Sequence, residues 1–392
     1  MGWKSVQDWL ADTRLARQVT EAVYGAHSRR HLARFDRGAP ARGQARTLLG
    51  LVHQARGTRF GRDHDFRRIR TVADFRRLVP LCTPADLWRS YHQPAYPHLD
   101  GTTWPGPVLP LASANGQPRP LLSAALQAAR RAAWTTALAL AHHHRPRSPL
   151  FAGQALFLGD GIAAADLPGA LRRYALCQPG GSATALRFLA ERAARLPLTL
   201  LAGPAERLVA LVELVKQSAG QGDLARVWPG LSTVLYTLRS PAASAGRLRA
   251  VVGDRPLLLE TAFRPEGPLA VEDPRRGGLR LLPDHGVFFE FVPAEEADRP
   301  HARRFGLDDA EPGGLYELAL TTPAGLWACR VGLTVRLERR DLPLVRFVEV
   351  VPARSDERVT ALPPPHRQSA GTPAALPESF VRSPWSVPAD RG

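Results

Sequence analysis

With 392 residues and 44% hydrophobic content, the chain can bury a large core, and its length is that of two or three domains. The formal charge of +16 invites a nucleic-acid reading. Lys4 and Lys216 are the only lysines, however, and the arginines are spread along the chain with no cluster interleaved with aromatics. A generally basic surface is expected, with no specific nucleic-acid partner.

Cys82, Cys177 and Cys329 are odd in number and widely spaced, so neither a disulfide framework nor a zinc site is indicated. The most apolar helix candidate, residues 126–141, is interrupted by Arg130-Arg131, and no window reaches a membrane span. The first ten residues lack the apolar centre of a signal peptide, which points to the cytoplasm and to no membrane contact.

In chain order, Val6, Trp9, Leu10, Thr13, Val19 and Val23 recur at helical spacing up to about residue 24. Leu48, Leu49 and Val52 form the apolar stripe of a helix over 44–55. Thr71 with Asp74 reads as a capping box ahead of a short helix stopped at Pro80. Thr83-Pro84 repeats the signal, with proline at the first helical position. His64 has no acid or nucleophile beside it and reads as a packed histidine.

A strand at 108–111, a loop of small residues at 112–119 and a long helix over 123–141 follow. That order suits a phosphate cradle, because backbone N–H groups point inward and few Cβ atoms stand in the way. Three histidines, His142 to His144, end the helix where its dipole favours them. Strands near 155–158, 198–202, 231–238 and 256–260 then alternate with helices near 168–176, 184–196, 205–217 and 242–252, giving an α/β sheet layered by helices. Residues 288–293 read as a core strand with Glu290 on the opposite face. Three further short strands are expected at 315–321, 326–331 and 333–337, with Pro323-Ala324-Gly325 as a turn and Gly332 as a bend or bulge. Residues 351–392 are proline-rich and read as an extended or disordered tail.

Two stretches carry a family likeness. Residues 55–81 hold Thr58, Phe60, Gly61, His64, Phe66, Asp74, Phe75, Arg76, Val79 and Pro80 in one spacing. Residues 314–337 hold Tyr316, Glu317, Leu318, Thr321, Thr322, Gly325, Leu326, Trp327, Arg330 and Gly332 in another. Over roughly residues 40–350 the chain resembles the auxin-responsive-promoter (GH-three) family of acyl-acid amido synthetases, as a divergent, bacterial-type member.

The resemblance implies a large adenylate-forming-like α/β domain over 41–350 behind an N-terminal helical arm at 1–40. After residue 350 it leaves no room for the family's separate C-terminal lid domain. It implies ATP-dependent activation of a carboxylic acid to an acyl-adenylate, with release of pyrophosphate, followed by attack of an amine such as an amino acid. Mg²⁺ and ATP are the implied cofactors. The implied nucleotide-binding residues are Ser113, Asn115, Gly116 and Arg119 in the loop, Gly267, Trp327 and Arg330, with Glu266 as the Mg²⁺ ligand.

Several family positions are altered. Arg119 stands for lysine, Ala262 and Pro265 replace the aromatic and hydroxyl residues before Glu266, and Leu333 stands where a ribose-binding aspartate belongs. Leucine has no acceptor for hydroxyl groups. No catalytic residue is singled out. Weak or absent activity by this chain alone is expected, the alternative being a pseudoenzyme, without cofactor, that binds a carboxylic acid or a protein partner.

Overall fold

The computed structural model describes residues 14–348 apart from 111–120, 147, 149, 160–163, 179–181, 239–243, 298 and 300. The proline-rich stretch 351–392 and the loop residues Ser113, Asn115, Gly116 and Arg119 lie outside the described residues.

A long helix, α1 (Arg14–Arg37), is followed by α2 (Pro40–Ala55) and the short α3 (Val72–Leu78). Both expected capping boxes form. Thr71 and Asp74 exchange bonds at the head of α3, and Thr83 and Asp86 do so at the helical turn Pro84–Leu87. The helix predicted to stop near residue 24 continues to Arg37. Gly25 does not break it, because this glycine lets a neighbouring helix approach: a Cβ there would lie 2.9 Å from His142 Nε2. Of the residues expected to form an N-terminal arm, Tyr24, Leu32 and Phe35 are buried among Trp134, Ala137 and Leu138.

Strands β1 (Val108–Pro110) and β2 (Leu121–Ser123) pair antiparallel, and α4 (Ala124–His144) starts directly after β2. The expected strand–loop–helix is thus a hairpin whose base is fixed by Pro110 opposite Leu121.

The main sheet begins with a parallel half. It comprises β3 (Gln154–Leu158), β4 (Ala175–Gln178), β5 (Leu198–Pro204), β6 (Thr233–Thr237) and the start of β7 (Leu257–Arg264), side by side in the order β4-β3-β5-β6-β7. These strands read as unbroken apolar runs because both faces are covered. Helices α5 (Ala183–Ala193), α6 (Ala205–Ser218) and α7 (Ser244–Val252) cover the face bearing Leu156, Leu201, Val234 and Leu258. The other face, with Phe157, Leu200, Leu235 and Leu259, packs on α1 and α4. The helix expected at 168–176 is cut to Gly169–Arg172, since Ala175 and its neighbours pair with β3. Sheet pairing there overrides the helix propensity of alanine and leucine.

From β7 the sheet turns antiparallel through β8 (Gly267–Asp273), β9 (Gly278–Leu281), β10 (Phe288–Pro293), β11 (Leu315–Thr321), β12 (Cys329–Arg339) and β13 (Leu344–Val348). Its order from one edge is β10-β11-β12-β13-β9-β8-β7. The two strands expected on either side of Gly332 are one, β12. Gly332 supplies a positive φ of 66° within it, and the β11 pairing shifts between Glu317 and Ala319. Glu290 lies on the face of β10 opposite Phe289 and Phe291, as expected, and is fully buried there. Arg304 Nη2 donates to it at 2.6 Å and Arg76 Nε at 3.2 Å, so the charge is paired rather than solvated.

Candidate active site

The head of α4 is the place where the motif-bearing segments converge. Ser123 caps the helix by accepting from the Leu126 N–H at 3.0 Å, and its hydroxyl donates to the carbonyl of Pro323. The turn after β11 is therefore tied to the base of the β1–β2 hairpin. Within that turn Gly325 has φ +88°, and a Cβ would lie 2.1 Å from Thr103 Oγ1. No side chain fits there. Trp327 comes next and is fully buried. Its indole N–H donates to the Thr103 carbonyl at 3.0 Å, and its ring lies against Phe60 and Phe66. Trp327 thus anchors the segment from behind and exposes no face to a ligand.

Glu266 sits half-exposed in the turn between β7 and β8, followed by buried Gly267. Gly267 packs closely, with a Cβ there 3.1 Å from Val287 Cγ2 and 3.8 Å from Leu126 Cδ1. The turn is held by Arg130, which sequence reading did not single out. Its Nη2 donates to the Pro265 carbonyl at 2.8 Å, and its Nη1 lies 3.7 Å from Asp166 Oδ2. Arg130 is buried, which pulls its pKa below the usual arginine value, while the charges of Asp166 and Glu266 oppose that shift. One signal was readable: Arg130 lies one turn after Leu126 and one before Trp134, a charge set on an apolar stripe.

Arg330 lies at the start of β12. Its backbone N–H donates to the Cys82 carbonyl at 2.8 Å, and its guanidinium is 3.6 Å from Glu317. The other Glu317 oxygen accepts from the Gly332 N–H at 3.3 Å. Leu333 belongs to the β12 face that also carries Val331, Val335 and Leu337, and it packs against the apolar cluster containing Phe289 and Leu318. The position where a ribose carboxylate is expected therefore faces packed side chains, while Glu317 supplies a carboxylate on the neighbouring strand. Asp86 is also near. The Thr83 hydroxyl holds its carboxyl below the usual range, and Arg330 adds to that effect.

His64 links two segments of the N-terminal region, with Nδ1 3.2 Å from the Leu78 carbonyl and Nε2 3.2 Å from the Tyr91 hydroxyl. A second group of ionisable residues was not legible in sequence. Tyr236, Glu260 and Glu272 lie side by side across β6, β7 and β8. Burial, and then the charge of Glu272, push the Glu260 carboxyl up to about 7.

Among the described residues, no cluster of three or more His, Cys, Asp or Glu could hold a metal, and no helix is long and apolar enough to cross a membrane.

The architecture is that of adenylate-forming enzymes. An AtGH3.15 acyl acid amido synthetase in complex with 2,4-DB superposes with a TM-score of 0.61 and 16% identity, over 78% of this chain and 67% of that one. A 2-hydroxyisobutyryl-CoA ligase in complex with 2-HIB-AMP and CoA gives a TM-score of 0.55 and 14% identity, over 77% and 71% of the two chains. Family models for the GH3 family N-terminal domain and the GH3 family central domain match residues 34–92 and 280–349. A GH3 domain-containing protein of Homo sapiens is 31% identical over 150 residues, which is 36% of this chain but only 28% of the human protein. Over the two stretches 34–92 and 280–349 the chain is similar to the N-terminal and central domains of the GH3 family.

Proposed function

We propose that this chain is an acyl-acid amido synthetase-like protein that takes a small carboxylic acid and Mg·ATP at the head of α4, with too weak a grip on the nucleotide for rapid amide synthesis alone. The observation that carries this reading is the convergence there of the β1–β2 hairpin, the Glu266 turn and the Trp327–Arg330 segment. In the 2-hydroxyisobutyryl-CoA ligase, which shares the fold, the bound species is an acyl-adenylate, 2-HIB-AMP. The AtGH3.15 enzyme holds 2,4-DB.

In this reading the loop with Ser113, Asn115, Gly116 and Arg119 meets the phosphates, because its base is fixed to the helix that also holds Glu266. Arginine binds phosphate in place of lysine, with a planar fork in place of a point charge. A lone carboxylate at Glu266 suits Mg²⁺, which takes one or two carboxylates and completes its shell with phosphate oxygens and water. Bound there, the ion would neutralise charge on the triphosphate. Arg130 holds the Glu266 turn in place, and Arg330 places positive charge beside Glu317 and Asp86. The amine, an amino acid or another small amine, would arrive after carboxylate activation.

A second reading, a non-catalytic protein that binds a carboxylic acid or a partner, is favoured by one observation: a half-buried Leu333 packs against an apolar cluster where a sugar-binding acid is wanted. Thermal shift against a panel of small carboxylic acids, with and without Mg·ATP, tests both readings. Stabilisation by an acid that grows further with Mg·ATP supports the first. Stabilisation by an acid with no response to Mg·ATP supports the second, and no response to any acid contradicts the first and leaves only the partner-binding form of the second.

A further inference from the structure

Two of the three cysteines stand opposite one another. Cys82, just before the turn Pro84–Leu87, forms an isolated parallel β-bridge with Cys329, the first residue of β12. Two backbone bonds close the bridge: Cys82 N–H to the Ala328 carbonyl at 3.2 Å, and Arg330 N–H to the Cys82 carbonyl at 2.8 Å. Adjacent strands run about 4.8 Å apart, which falls within the Cα separation of about 4.4–6.8 Å that a disulfide requires. The Cys82 thiol donates to the Trp327 carbonyl at 3.3 Å, two residues before Cys329. Both are free, Cys82 half-buried and Cys329 fully buried.

We propose that Cys82 and Cys329 form a reversible disulfide under mild oxidation, a modification site that staples the 79–83 segment to the start of β12, which carries Arg330. The inference rests on this bridge alone and does not depend on the ligand reading above. The order of attack follows from exposure and protonation. The hydrogen bond with Cys82 and burial push the Cys329 thiol well above its ordinary value, so it stays protonated and shielded. Cys82 meets the oxidant first.

With a peroxide, the Cys82 sulfur attacks one oxygen, the O–O bond breaks, and the departing hydroxide takes up the thiol proton as water. The resulting sulfenic acid is attacked by the Cys329 sulfur, the S–O bond breaks, and a second water leaves with the Cys329 proton. Two thiols lose two electrons, and hydrogen peroxide is reduced to two waters. Cys177 sits on β4, away from the bridge, and is untouched by this sequence.

The test uses the full chain treated with stoichiometric hydrogen peroxide, followed by alkylation and non-reducing peptide mass mapping. The expected product is a monomer lighter by two hydrogens, with the Cys82 and Cys329 peptides joined and Cys177 alone alkylated. It melts several degrees higher than the reduced chain and reverts with dithiothreitol. Cys177→Ser behaves the same, and Cys82→Ser, checked for native circular dichroism, forms no internal link. Three alkylated cysteines after treatment, a Cys82 sulfinic acid beside an intact Cys329 thiol, or a cross-link between two chains would each overturn the proposal.

Discussion

The Arg130 guanidinium reaches the Pro265 carbonyl at 2.8 Å, so the first half of α4 grips the turn that presents Glu266. The same side chain faces Asp166, whose exposure is 1%. Arg130→Met keeps the apolar stem but removes the charge. Breaking a buried pair from one side costs about 3–5 kcal/mol, so urea unfolding should show a loss of that order. A loss below about 1 kcal/mol, the scale of an exposed pair, would mean that Arg130 is solvated in solution.

Glu290 is the buried anion of the β10 edge, held by Arg304 and Arg76. Glu290→Ala leaves Arg304, itself buried, without its carboxylate. The expected result is a destabilisation of about 3 kcal/mol or more, read by chemical denaturation. Arg76→Ala, at a more exposed position, should cost clearly less.

Glu260 gives a pH dependence whose sign is fixed. Its folded pKa, about 7, is raised above the ordinary carboxylate value. Between those two values the folded state holds a proton that the unfolded state has lost, so stability falls as pH rises through this window. Above pH 7 the ionised group is retained at a cost, next to Glu272. Glu260→Gln mimics the protonated form, so its melting temperature should exceed the parent's at pH 8 and match it near pH 4.5. An equal offset at both pH values would show that the carboxyl is not raised.

Leu333 tests the sugar site. Because half-buried Leu333 packs on the β12 face of Val331, Val335 and Leu337, Leu333→Asp should lower stability by about 1 kcal/mol through loss of apolar contact and partial burial of a polar group. It should leave Mg·ATP affinity within about twofold, a free-energy change near 0.4 kcal/mol. Calorimetric titration showing tenfold tighter binding would place this side chain on the nucleotide after all.

Local chemistry was legible where one segment decides the outcome. The capping boxes at Thr71 and Thr83, the strand bounds of β10 and β11, and the turn at Gly325 follow from neighbours in sequence. What depends on a distant partner was not legible. β4 exists because β3 offers an open edge, α1 runs on past Gly25 because α4 packs there, and Glu290 can be buried on its face because Arg304 pairs with it. The site followed the same division. Glu266, Gly267 and Arg330 were named only through the family resemblance, whereas Arg130, Glu317 as the acid beside Gly332, and the Tyr236–Glu260–Glu272 row appear only once the strands are paired. Trp327, expected on the nucleotide from the family likeness, has the surroundings of a core residue.

The most direct measurement is pyrophosphate release by the purified full chain supplied with Mg·ATP and the small carboxylic acid that stabilises it best. A scaffold that binds the acid but grips the nucleotide weakly should release little or none, with no acyl-AMP recovered from the protein. Sustained release that is abolished by Glu266→Gln, together with a stoichiometric acyl-adenylate complex, would contradict it.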